Sequence, residues 1–194
     1  MGKIIGITGG IASGKSTVTN FLRQKGFQVV DADAVVHDLQ KAGGRLYQVL
    51  VKHFGQEIIL ENGELNRPLL ASLIFSNPEE REWSKQTQGE IIREELAALR
   101  DQLTQTEAIF FMDIPLLFEQ DYSAWFDETW LVYVNRDVQV ERFMKRDHLS
   151  KEVAESRLAT QWSLEEKKKL ASHILDNNGS RDQLVSQVVK LLEG

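Results

Sequence analysis

Apolar residues recur along this 194-residue chain in two rhythms, and the alternation between them predicts its elements. Short, unbroken, largely β-branched or aromatic runs read as buried strands: Lys3-Ile4-Ile5-Gly6-Ile7-Thr8, Phe27-Gln28-Val29-Val30, Ala108-Ile109-Phe110-Phe111-Met112, Trp130-Leu131-Val132-Tyr133-Val134 and the brief His173-Ile174-Leu175. Between them the apolar positions move to helical spacing. Ser16 to Lys25 carries Val18, Phe21 and Leu22 on one face, Val35 to Leu39 resumes the pattern, and Leu46, Val49, Leu50 and His53-Phe54 continue it. Glu61-Asn62-Gly63-Glu64 is a turn, Asn66 caps a segment with Pro68 near its first turn, and Asn77-Pro78 starts the next helix. That helix is long and polar-faced, from Glu79 to about Leu103, with Ile91, Ile92, Leu96, Leu99 and Leu103 as its apolar stripe. Two charged helices fill Asp137 to Gln161, Ser163-Leu164-Glu165-Glu166 fits a capping box opening a third, and Ser180 to Leu192 forms a terminal helix after an Asn177-Asn178-Gly179 turn.

Short apolar strands separated by helices imply a parallel sheet with helices on both faces, an α/β architecture in three layers. Right-handed crossovers then gather the loops after the strands along one edge, where active groups belong. The length suits one domain with insertions rather than two. Composition narrows the function classes. With 42% apolar and 27% charged residues and only 3 prolines, the chain is globular and lacks long disordered linkers. It contains 0 cysteines, which excludes disulfides, thiolate metal sites and cysteine nucleophiles and agrees with a reducing cytosol, so a soluble cytoplasmic protein is expected. No apolar stretch approaches the ~18 residues of a membrane span. A net charge of −6 disfavours a broad nucleic-acid or anionic-membrane surface, but a nucleotide needs only a few local cations and oriented N–H groups.

The chemistry concentrates near the start. Gly9-Gly10-Ile11-Ala12-Ser13-Gly14-Lys15-Ser16 fits G-x-x-x-x-G-K-[ST], the phosphate-cradling P-loop, and it lies where the motif requires, after a strand and before a helix. Its glycines let the backbone curl so that N–H groups point at one anion, and the helix adds its partial positive end. Lys15 is expected on the β/γ-phosphates and the Ser16 hydroxyl on Mg²⁺.

Other residues carry a functional and a plainer reading side by side. Asp113, ending the third strand, fits either a magnesium-water ligand beside the P-loop or a surface acid. Asp31 and Asp33 flank Ala32 where the second strand ends. An extended backbone there would send both carboxylates to one face, near a triphosphate; the alternative is a loop capping the next helix. A carboxylate at such a site suits an alcohol acceptor, whose proton must be taken or hydroxyl aligned. Arg136, Arg142 and Arg146 surround a helix start, and Arg142 and Arg146 lie one turn apart, as lid arginines neutralising transferred charge or as a solvated face. Lys167-Lys168-Lys169 reads as a solvated face, and Asn177-Asn178-Gly179 as a turn able to approach a nucleotide base. The four histidines, His37, His53, His148 and His173, show no H-E-x-x-H spacing and suit packing or solvent faces.

Taken together, Ile7 to Thr17, Asp31-Ala32-Asp33, Leu65-Asn66-Arg67, Ile74-Phe75, Asn77-Pro78-Glu79, Pro115-Leu116-Leu117-Phe118-Glu119 and Asp176-Asn177-Asn178-Gly179 resemble the dephospho-coenzyme A kinases over nearly the whole chain. The resemblance implies a P-loop kinase fold of the nucleoside monophosphate kinase type, with the P-loop strand beside the strand ending at Asp113. One domain over 1–194 would carry a helical acceptor-binding region at about 37–103 and a helical lid at about 138–166. It implies transfer of the ATP γ-phosphoryl group to the ribose 3′-hydroxyl of dephospho-coenzyme A, the last step of coenzyme A synthesis, with Mg²⁺ as cofactor. By position, Gly9, Gly10, Ile11, Ala12, Ser13, Gly14, Lys15, Ser16 and Thr17 hold the nucleotide. Asn177 lies near the adenine, Asp33 is the base, Arg142 and Arg146 lie in the lid, and Ser16 and Asp113 serve the metal. The family often has His-Pro where this chain reads Gln88-Gly89. A monomer or small homo-oligomer is expected. The rival readings are a nucleoside or nucleoside monophosphate kinase and, further off, a nucleotide switch, although Asn135-Arg136-Asp137 replaces the N-K-x-D of a guanine-nucleotide switch.

Overall fold

The computed structural model describes residues 2–193. Its first compact unit comprises the chain up to Val30 and from Leu103 onward. Strands β1 (Lys3–Gly9), β2 (Val29–Asp31), β3 (Ile109–Asp113), β4 (Glu128–Tyr133) and β5 (His173–Asp176) form one sheet in the order β2-β3-β1-β4-β5. β1 therefore lies in the middle, parallel to β3 on one side and β4 on the other, and β4 pairs parallel with β5. Ile7 stands opposite Asp113 in the β1–β3 register, so the loop after β1 opens beside the end of β3.

Side-chain alternation along the strands builds the layers. Ile5, Ile7, Phe111, Trp130, Val132 and Leu175 share a core with Val18 and Leu22 of α1 (Lys15–Gln24) and Leu184 and Val188 of α9 (Arg181–Glu193). The intervening residues of β4, Leu131 and Tyr133, pack instead with Leu164 of α8 (Leu164–Lys168). Between β4 and α8 run α6 (Arg136–Asp147) and α7 (Lys151–Leu158), joined by Val140, Phe143, Ala154 and Leu158. The capping box opening α8 is present, with Ser163 accepting from Glu166 N–H and Glu166 answering Ser163 N–H.

The second unit, Asp31–Gln102, is helical. It holds α2 (Ala32–Leu39), α3 (Arg45–Phe54), α4 (Arg67–Ser76) and most of α5 (Pro78–Thr106). Leu39, Leu46, Leu50, Ile58, Leu65 and Leu70 form its core, with Ile91 and Ile92 of α5 packed against them. Asn66 caps α4 by accepting from Leu69 N–H at 3.2 Å, and Pro68 occupies the first turn.

The structure revises three expectations. β2 is an edge strand of partly exposed residues rather than a buried run, because only β3 flanks it. Asp31 and Asp33 do not share an extended face: α2 begins at Ala32, and Asp31 becomes its cap, accepting from Ala34 N–H at 3.1 Å. A short β-run followed by two acids favours that cap over further extension. Lys167 is no solvated residue but fully buried, for reasons given below. No helix among the described residues is long and apolar enough to cross a membrane.

Candidate active site

The site grows from the turn between β1 and α1. Gly9 ends β1, Gly10 to Gly14 make the loop, and Lys15, Ser16 and Thr17 form the first turn of α1. Ser13 N–H closes the loop on Gly10 O at 3.1 Å, while Ala12 and Gly14 take left-handed φ values of 57° and 92°. That alternation curls the chain into a nest. No side chain caps α1 and no acid stands in its first turn, so its amides and the positive end of its dipole are left for an anion. A P-loop needs this combination, because backbone N–H groups hold phosphate without the cost of desolvating several cations.

Lys15 Nζ meets Asp113 Oδ1 at the mouth of this loop. Asp113 is only 3% exposed, which removes the reading of it as a surface acid. Burial of a carboxylate is tolerated when a cation pairs with it, and Lys15 supplies that charge.

Behind the loop lies a second ion pair that the sequence pattern hid. Lys167 Nζ, fully buried, donates to Glu119 Oε1 at 2.9 Å and to Pro115 O at 2.7 Å. Pro115 O also accepts from Thr8 Oγ1 at 3.0 Å, and Glu119 Oε1 from Trp162 N–H at 3.2 Å. The Pro115–Glu119 segment thus ties the chain after β3 to the stretch leading into α8. Burial pushes the Lys167 ammonium below its ordinary pKa, Glu119 opposes that shift, and the charge of Lys15 adds to the lowering. Nearby, Tyr133 Oη contacts Glu165 Oε1, and that hydrogen bond together with burial pushes the phenol up to about 12.

Of the other expected site residues, Asn177 follows β5 and is buried, its Nδ2 donating to Ser13 O at 2.8 Å. Arg142 and Arg146 lie on α6. Arg142 is half-buried and makes no ion pair among the described residues, whereas Arg146 is exposed, forks onto Asp147 and covers the Phe143 ring. Asp33 lies exposed in the first turn of α2, in the other unit. The P-loop residues, Asp113 and Asn177 lie in the first unit, and Asp33 belongs to the second. Sequence reasoning missed Gln139 on α6, which is buried and donates from Nε2 to Ile11 O at 2.8 Å. An isolated glutamine on a charged helix carries no signal of such a contact.

A model of the dephospho-CoA kinase (CoaE) family matches residues 3–183. The chain belongs to that family. It is 82% identical over 194 residues to the dephospho-CoA kinase of Streptococcus pneumoniae serotype 4, covering 100% of this chain and 96% of the relative. Among solved structures, dephospho-CoA kinase from Campylobacter jejuni superposes with a TM-score of 0.76 at 27% identity, covering 100% of this chain and 96% of that one. TT1252 from Thermus thermophilus superposes at 0.81 with 35% identity, covering 99% and 97%. The family's reaction is phosphorylation of the ribose 3′-hydroxyl of dephospho-CoA, the final step of coenzyme A biosynthesis, and the enzyme is a phosphotransferase with an alcohol acceptor. The nucleoside monophosphate kinase and switch readings fall away. P-L-L-F-E, whose glutamate takes the buried Lys167, is where motif and structure meet most closely.

Proposed function

We propose a division of labour in which the first unit grips the ATP polyphosphate and Asp33 serves the acceptor alcohol. The observation that carries the donor half is the uncapped start of α1 beneath the left-handed residues Ala12 and Gly14. The Lys15 ammonium leaves Asp113 in part to meet the β/γ-phosphates, neutralising charge that grows on the equatorial oxygens. The residues present also fit Mg²⁺: a hydroxyl from Ser16 and the buried carboxylate of Asp113 are hard oxygen donors. Among the described residues no group of three or more acidic, histidine or cysteine side chains is placed to hold a metal ion by itself, so phosphate and water would complete such a site. When bound, the metal would shield the phosphates' negative charge.

Asp33 takes or orients the proton of the ribose 3′-hydroxyl, a role that needs an ionised and accessible carboxylate. Its exposure in the first turn of α2 supports that reading. Arg142, without an ion pair among the described residues, is the lid group ready to pair with the transferred phosphoryl group. Arg146 would first have to release Asp147. The proposal extends to a cytoplasmic location, which rests on the cysteine-free composition. It includes neither a nucleic-acid nor a membrane partner, in keeping with the net charge of −6.

ADP release measured with a panel of acceptors tests the assignment. Dephospho-CoA should support turnover while nucleoside monophosphates and buffer alone do not. Turnover on a monophosphate in preference to dephospho-CoA would overturn it.

A further inference from the structure

Two side-chain amides reach the phosphate loop from separate elements. Gln139 of α6 donates to Ile11 O and Asn177, after β5, donates to Ser13 O, each at 2.8 Å. Both are almost wholly buried, at 4% and 8% exposure. Each acceptor is a backbone carbonyl, so the amide nitrogen must be the atom turned toward it.

The geometry of the peptide unit gives these contacts a consequence. In a trans peptide the C=O and the following N–H point in opposite directions. Holding Ile11 O on Gln139 therefore turns the Ala12 N–H the other way, and holding Ser13 O on Asn177 does the same for the Gly14 N–H. These N–H groups belong to the two left-handed residues of the loop, with φ of 57° and 92°. A non-glycine residue such as Ala12 keeps that conformation only where its surroundings over-determine it. Gln139 is such a determinant.

The glycines fit the same scheme. A Cβ on Gly10 would stand 2.5 Å from Gln139 Nε2, and one on Gly14 would stand 2.0 Å from Asn177 Nδ2. The motif's small residues thus make room for these carboxamides as well as for a ligand.

We infer that Gln139 and Asn177 are positioning residues for phosphoryl transfer, their carboxamides holding two loop carbonyls so that the Ala12 and Gly14 N–H groups are preset for the donor's polyphosphate. The inference rests on the reading of this loop as the triphosphate site. It assigns Asn177 to the polyphosphate rather than to the adenine, since one Nδ2 hydrogen is held on Ser13 O and the side chain is only 8% exposed.

Inorganic tripolyphosphate, ATP and dephospho-CoA, each titrated calorimetrically against the whole enzyme, separate the possibilities. Gln139→Met and Asn177→Leu remove the donor at near-constant volume. Each should weaken ATP and tripolyphosphate by the same factor, roughly 3- to 10-fold, the worth of one net hydrogen bond. Dephospho-CoA affinity should be unchanged. Weaker ATP with unaltered tripolyphosphate would make Asn177 a base contact and overturn the inference, as would no change in either. An equal loss for all three ligands would mark general structural damage and overturn it too. If these variants fail to fold, Gln139→Glu and Asn177→Asp keep the shapes but set an acceptor against each carbonyl, and the same ratios are read. Lys15→Ala is the control for the underlying reading. If it retains tripolyphosphate, the loop is not the polyphosphate site; if it loses tripolyphosphate while the amide variants do not, only the positioning role fails.

Discussion

Replacing Lys167 by methionine isolates the electrostatic worth of the buried pair behind the P-loop. Methionine fills nearly the same volume, so the packing change should cost less than about 1.5 kcal/mol. What disappears is the ammonium that serves Glu119 Oε1 at 2.9 Å and Pro115 O at 2.7 Å. Removing one partner of a buried ion pair costs about 3–5 kcal/mol, because the other charge stays desolvated and unpaired. Here a discount applies: the Glu119 side chain retains 12% exposure and keeps the Trp162 N–H at 3.2 Å. We therefore expect Lys167→Met to destabilise the enzyme by about 2–4 kcal/mol, or roughly 5–15 °C in Tm for a chain of this length. Glu119→Gln placed in the same protein removes the stranded charge and should restore part of that loss. Differential scanning calorimetry of the wild type, both single variants and the double closes the cycle. A Lys167→Met Tm indistinguishable from wild type, or a cycle in which the two changes simply add, would refute the account of Lys167 as a buried anchor.

Two further outcomes follow from single residues. Gly89 lies mid-way along α5, where a Cβ would meet nothing within 4 Å, so Gly89→Ala should stabilise the enzyme by about 0.5–1 kcal/mol. Thermal unfolding checks this, and a lower Tm would show that the helix needs a glycine there. The Tyr133 phenol should ionise near pH 12, seen as a late tyrosinate absorbance step that vanishes in Tyr133→Phe. Because its folded pKa lies above the unfolded value near 10, the associated stability is intact below about pH 10 and is lost as pH rises toward 12. A Tyr133 step near pH 10 would contradict the contact with Glu165.

The sheet and the glycine loop were legible because local pattern determines them. Five apolar runs, a glycine loop and a capping box each carry their geometry in adjacent residues. The placement of β1 beside β3 followed from the family resemblance and is what the register shows. Burial of Asp113 and of Lys167 was not legible, since each depends on a partner far along the chain, Lys15 for one and Glu119 for the other. A run of three lysines looks solvated unless the acid that takes the first is known. Gln139 was silent for the same reason, its acceptor lying 128 positions away. Asp31 erred differently: the same two letters that could extend a strand also begin a helix, and the Ala34 N–H decided between them.

The proposed division of labour depends most on Asp33 acting at the acceptor hydroxyl while the loop holds the donor. Turnover of Asp33→Asn at saturating dephospho-CoA, measured beside its calorimetric ATP affinity, tests this directly. General-base loss predicts a fall in turnover of about 10²- to 10⁴-fold with ATP binding unchanged. Wild-type turnover in that variant would contradict the account.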